Sequence, residues 1–157
     1  MKSLMLFTDG SVNNKTKVGV GAYLLLSEQD QSRDLLAECV KTHIFYETSS
    51  TRLELQVLLM ALDDIGAESR LTVYTDSQNI VNLSARRERL EKSGFLSTKG
   101  RRLNNADLYC EFFKKIDIMH LTFEKVAGHR VSSDKTQIDH LFSLVDKASR
   151  RALRDIS

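Results

Sequence analysis

The spacing of apolar positions changes period along this chain, and each change marks a predicted element. Residues 3–9, Ser-Leu-Met-Leu-Phe-Thr-Asp, alternate weakly and run into Asp-Gly, the signature of a strand entering a turn. A polar loop from Ser11 to Lys17 is expected next. Gly19-Val-Gly-Ala-Tyr-Leu-Leu-Leu26 is rich in strand formers, and its glycines suggest a close backbone approach. Polar residues from Ser27 to Arg33 separate it from a third strand expected near Leu35–Tyr46. Three strands on short links predict an antiparallel meander.

The period then lengthens to that of a helix. After Glu47-Thr-Ser-Ser-Thr51, where a hydroxyl can cap, Leu55, Leu58, Leu59 and Leu62 recur at helical spacing and Gly66 closes the run. Leu71–Tyr74 reads as a short buried strand, residues 77–92 as a polar helix and 93–100 as a loop. Leu108, Phe112 and Ile116 mark a second amphipathic helix over Leu103–Ile116, His120–Val126 a fifth strand, and Ile138, Leu141, Phe142 and Val145 a last helix beginning after Asp134. The fold class predicted is α/β: a five-stranded mixed sheet, its first three strands antiparallel, flanked by helices.

Composition narrows the function classes. The 157 residues suit a single domain spanning 1–157, and 41% hydrophobic against 28% charged residues excludes a disordered or low-complexity chain. No stretch approaches a membrane span and the apolar start is too short for a signal sequence, so a soluble cytoplasmic protein, a monomer without membrane partners, is expected. Cys39 and Cys110 form no CxxC pair and are expected as reduced thiols. The net charge of +2 decides nothing, but Arg86–Arg102 holds seven basic residues against two acids. Such a ridge suits either phosphate tracking or a solvated helix face.

The candidate chemistry lies in four acids set among apolar residues: Asp9 and Asp76 at expected strand ends, Glu54 near the start of the first long helix, and Asp146 in the last. Singly, Asp9 and Asp76 are turn formers and Glu54 a helix-start residue. Together they need a positive partner, because like carboxylates repel and burial disfavours their charge. An all-oxygen donor set suits Mg²⁺, and carboxylate-held metal pairs are a route to phosphodiester cleavage.

Five motifs occur in order: Thr8-Asp9-Gly10-Ser11, Gly19-Val-Gly21-Ala22, Thr51-Arg-Leu-Glu54-Leu55, Thr75-Asp76-Ser77-Gln78 and Gly128-His129. This series resembles the type 1 ribonuclease H family across essentially the whole length. The resemblance implies an RNase H-like fold and an endonuclease that hydrolyses the RNA strand of RNA/DNA hybrids, leaving 5′-phosphates. It implies two Mg²⁺ ions, with Mn²⁺ as a substitute, on Asp9, Glu54, Asp76 and a fourth acid, and His129 assisting proton movement. Asp139 follows His129 by the ten positions common in the family, whereas Val145-Asp146-Lys147-Ala148-Ser149 resembles the family's local pattern; the latter makes Asp146 the preferred fourth acid and Asp139 the alternative.

For the substrate, the resemblance implies contacts from Ser11 and Asn14 and from Gln78 at the family's Gln position. Ser50 and Thr51 stand where many members carry two Asn residues, and Arg86, Arg87, Lys99 and Arg101 fall where several have a basic protrusion. The rivals are a DNA-directed nuclease of the same fold and a catalytically silent nucleic-acid-binding module. His43, His120 and His140 match no site pattern.

Overall fold

A computed structural model describes residues 2–27, 33–127 and 136–156. Its strands are β1 (Ser3–Asn13), β2 (Val18–Ser27), β3 (Lys41–Phe45), β4 (Arg70–Thr75) and β5 (His120–Lys125), in the sheet order β3-β2-β1-β4-β5. β1–β2 and β2–β3 pair antiparallel, β1–β4 and β4–β5 parallel, so the mixed sheet and its opening meander are as expected. The helices are α1 (Ser50–Asp63), α2 (Gln78–Leu83), α3 (Arg87–Lys92), α4 (Ala106–Ile118) and α5 (Gln137–Ile156).

The sheet is covered on both faces, and the side-chain alternation of β1 shows how. Leu6 faces the core formed with Leu55, Leu58 and Leu62 of α1 and Phe112 of α4, whereas Met5 and Phe7 face Leu141, Phe142 and Val145 of α5. Burial on both sides explains why β1 and β2 read as nearly continuous apolar runs. Each of the fully buried leucines contributes about 1.5–3 kcal/mol relative to exposure. The wide apolar stripe of α1 is thus explained by its position between the sheet and α4.

Glycines set the approach of α1. A Cβ placed on Gly21 would lie 2.7 Å from Val57 Cβ, and one on Gly10 would lie 2.7 Å from Leu53 Cδ2. Arg52 then ties α1 to α4 through a two-pronged ion pair with Asp107, 2.9 Å at its shorter arm, which lowers the Asp107 pKa.

Several boundaries differ from expectation. β1 does not turn at Asp9-Gly10 but continues to Asn13, because pairing with β2 carries on through Asp9↔Ala22 and Gly10↔Gly21 to Asn13↔Val18. The turn comes after Asn13, whose Oδ1 accepts from Lys15 and Thr16 N–H at 3.0 and 3.3 Å, and Lys17 completes it at φ 58°. The expected strand from Leu35 is instead a 3₁₀ segment over Arg33–Cys39 that seats Leu36 in the core facing α5, followed by the shorter β3. Residues 77–92 break into α2, a 3₁₀ turn at Ser84–Arg86 and α3, with Ile80, Leu83 and Leu90 buried. Helix α1 stops before Gly66, with Asp64 as a right-handed C-cap at φ −82°.

Candidate active site

Sheet register brings the first two acids together. β1 and β4 are parallel with Phe7 opposite Tyr74, so two residues further along each chain Asp9 and Asp76 reach the same level. Asp9 projects from the same side of β1 as Phe7, the side facing α5. Asp76 lies one residue beyond β4, exposed, at the carboxyl end where parallel strands leave room for ligands.

Helix α5 supplies the third acid. Val145 is fully buried against the sheet, and Asp146 beside it shares a hydrogen bond with Asp9. Burial first, then the charge of Asp76, then the bond to Asp146 push the Asp9 carboxyl from its ordinary 3.8 up to about 8. Arg150, one turn along α5, pairs with Asp146. A second tie is the hydroxyl pair of Ser11 and fully buried Ser149, 3.1 Å apart; Ser149 also donates to the Asp146 carbonyl at 3.0 Å. The Ser11 hydroxyl, expected as a substrate contact, thus helps fix the helix that carries Asp146.

Glu54 comes from the opposite face. It sits in the second turn of α1 rather than the first, since Ser49 is the N-cap and accepts from Arg52 N–H at 3.2 Å. The helix dipole therefore does little for it. Its partner is Ser77, buried, which donates to Glu54 Oε2 at 2.7 Å while accepting from Ile80 N–H at 3.2 Å as the N-cap of α2. Thr75 Oγ1 accepts from Ser77 N–H at 3.1 Å. Burial raises the Glu54 pKa, the Ser77 bond opposes this, and the charge of Asp76 adds to the rise. The roles of Ser77 and Ser149 were missed in the sequence. A Ser just before a helix was a visible cap signal, whereas nothing local marked Ser149 as a partner of Ser11.

Asp139 lies in the first turn of α5. Its carboxylate accepts from Thr136 N–H at 3.0 Å, and Asp139 N–H is 3.3 Å from Thr136 Oγ1, a reciprocal cap at the start of α5. His129 falls outside the described residues.

The remaining expected contacts are dispersed. Ser50 and Thr51 are exposed at the head of α1, and Asn14 is exposed in the β1–β2 turn. Gln78 opens α2 next to Ser77. Arg86 lies over the Tyr109 ring and donates to Asn79 at 3.0 Å, while Arg87 lies over Phe113 and pairs with Asp117 and Glu91. Arg87 thereby ties the base of the basic segment to α4 by an ion pair, and Arg86 by its contact with the Tyr109 ring. Lys99 and Arg101 are exposed in the loop beyond it.

A family model described as RNase H matches residues 1–146, from the first strand through Asp146. The chain belongs to the RNase H family. The resemblance carried by the ordered motifs therefore holds. Among similar RNase H family proteins, ribonuclease HI of Haemophilus ducreyi is 26% identical over 158 residues, covering 99% of this chain and 97% of its own. Ribonuclease H of Prosthecochloris aestuarii is 28% identical over 153 residues, covering 95% and 99%. The solution structure of the PFV RNase H domain superposes with a TM-score of 0.73 at 15% identity, over 96% of this chain and 94% of that one, a likeness of fold.

The donor set fits divalent metal in chemistry: four carboxylates on an RNase H fold, with the Asp9 carboxyl pushed up to about 8 by burial and then by its acidic neighbours. Among the described residues no three ligating side chains already converge on one point. The structure offers the Asp9–Asp146 pair and the Glu54–Ser77 pair, with the charge of Asp76 acting on both Asp9 and Glu54.

Proposed function

We propose that this protein is a ribonuclease H that cleaves the RNA strand of RNA/DNA hybrids endonucleolytically, leaving 5′-phosphates. The observation that supports this is the placement, in an RNase H family chain, of Asp9 beside Asp146 and of Glu54 on Ser77, with the charge of Asp76 acting on both Asp9 and Glu54. These four acids would hold two Mg²⁺ ions, or Mn²⁺ in their place, which when bound supply a nucleophilic water and stabilise the leaving 3′ oxygen.

The protein's own residues prepare that chemistry. Burial and the acids beside it hold the Asp9 carboxyl protonated up to about 8, and that proton must leave before Asp9 can act as a ligand. Ser77 orients Glu54 from a rigid helix cap, and the Ser11–Ser149 pair fixes α5 beside β1. In this proposal His129 carries a proton to or from the reacting edge. Hydroxyls of Ser11, Ser50 and Thr51, together with Asn14 and Gln78, meet the sugar-phosphate backbone, and Arg86, Arg87, Lys99 and Arg101 supply the positive field. The enzyme is proposed to act as a cytoplasmic monomer.

The test is cleavage of end-labelled RNA/DNA hybrid, duplex DNA and duplex RNA side by side in Mg²⁺. Cutting confined to the RNA of the hybrid, and lost in Asp9→Asn and Asp76→Asn, is the expected result. Equal cutting of duplex DNA supports the DNA-directed rival, and undiminished turnover by either variant rejects the site.

A further inference from the structure

Lys125 ends β5 directly opposite Thr75, the residue before Asp76, and Val126 N–H donates to the Thr75 carbonyl at 2.8 Å, so this end of β5 is fixed beside the acids. The Lys125 side chain follows Leu121 and Phe123 on the sheet face that carries α1 and α4, but it is exposed. Its ammonium donates to Gln78 Oε1 at 2.7 Å, and Gln78 Nε2 donates to Asn82 Oδ1 at 2.9 Å. Since an ammonium has no acceptor, the oxygen of the Gln78 carboxamide must face Lys125 and its NH₂ must face away. One N–H of that NH₂ goes to Asn82. The other, and two further donors on Lys125, have no partner among the described residues.

We propose that Lys125 is a substrate-positioning residue that holds Gln78 with its donors outward and itself meets a backbone phosphate of the duplex flanking the cut. This rests on the nuclease proposed above and extends it to a residue that carries none of the family motifs. The chemistry is consistent across the three side chains. The shallow groove of a hybrid shows acceptors, base-edge oxygens and nitrogens and the 2′-hydroxyl, at every step, so a presented donor binds without choosing a sequence. A carboxamide flipped the other way would present its oxygen and be repelled by those acceptors. Lys125 forbids that flip.

The experiment is binding of a fluorescent RNA/DNA hybrid in EDTA, followed by anisotropy between about 50 and 200 mM salt. Lys125→Met is expected to weaken binding roughly five- to tenfold and to reduce the salt slope by about one, with Lys125→Arg restoring both. Combined with Gln78→Ala, Lys125→Met is expected to cost less than the product of the two single effects, since removing Gln78 already removes what Lys125 orients. Because Lys125 is exposed, the variants should melt with the wild type. An unchanged affinity and salt slope in Lys125→Met overturns the proposal, as do multiplicative effects in the double variant. Wild-type protein that binds the hybrid but never cuts it would sink the nuclease proposal while leaving these titrations to decide Lys125; failure to bind the hybrid at all sinks both.

Discussion

At Asp9 the protein keeps a carboxyl that burial and two acidic neighbours hold protonated well into the neutral range, to about 8. An unfolded chain ionises this group near 3.8, so between the two values the folded state binds more protons and stability must fall as pH rises. The effect is absent below about 3.8 and complete above about 8, and the raised pKa of Glu54 acts in the same sense. In EDTA, Asp9→Asn is therefore expected to be more stable than wild type at pH 8, by about 1–2 kcal/mol or a few degrees in Tm, and the gain should vanish near pH 4; thermal melts across pH check it. Mn²⁺ should raise the Tm of wild type and do so much less for Asp9→Asn, because only a deprotonated carboxylate ligates. On activity the same change should cost ~10²-fold or more, at least ~2.7 kcal/mol of transition-state stabilisation. Asp146→Asn should cost turnover to a similar extent, whereas Asp139→Asn, which loosens a helix cap, should cost about 1 kcal/mol of stability and leave most turnover; parallel hybrid-cleavage and urea titrations separate them.

At the scale of elements, the site depends on two helices reaching the sheet at fixed heights from opposite faces. Gly21 decides the height of α1, because Val57 Cβ occupies the space a side chain would need, 2.7 Å away. That atom sits at the root of its side chain and cannot swing aside. Gly21→Ala is expected to cost about 1–3 kcal/mol and to lower kcat more than it raises KM, since Glu54 rides on the displaced helix; urea unfolding and steady-state kinetics read the two effects. An effect on stability with kcat unchanged would show that α1 can shift without disturbing Glu54. Helix α5 is set by the buried Ser149 hydroxyl against Ser11 and by Val145 in the core.

For the whole molecule, the near-zero net charge hides an uneven distribution, and the basic segment is built into the fold rather than hung from it. Arg87 reaches α4 through Asp117 and Phe113, and Arg86 lies over Tyr109, so these two arginines contribute structure as well as field. Lys99 and Arg101 stand in the exposed loop. Replacing Lys99 and Arg101 together by Gln should weaken hybrid binding, reduce its salt slope by about two and leave Tm unchanged, measured by the same anisotropy titration. Arg87→Gln should instead lower stability modestly, through loss of its packing over the Phe113 ring and of its exposed ion pairs with Asp117 and Glu91. No helix among the described residues is long and apolar enough to cross a membrane.

Periodicity alone determined the mixed sheet, its opening meander and the apolar faces of α1, α4 and α5, because burial acts residue by residue and leaves its period in the chain. The ordered motifs around Asp9, Glu54 and Asp76 were legible for the same reason, each being a local run. What only the tertiary structure decided was long-range. Pairing with β2 carried β1 past Asp9 to Asn13, against the local turn signal of Asp-Gly. That Asp146 lies beside Asp9 while Asp139, seven residues earlier on the same helix, accepts from Thr136 N–H at the helix start follows from how α5 docks on the sheet. Ser77 on Glu54, Ser149 on Ser11 and Lys125 on Gln78 join positions far apart in sequence, and a hydrogen bond between distant polar side chains has no period from which it could be read.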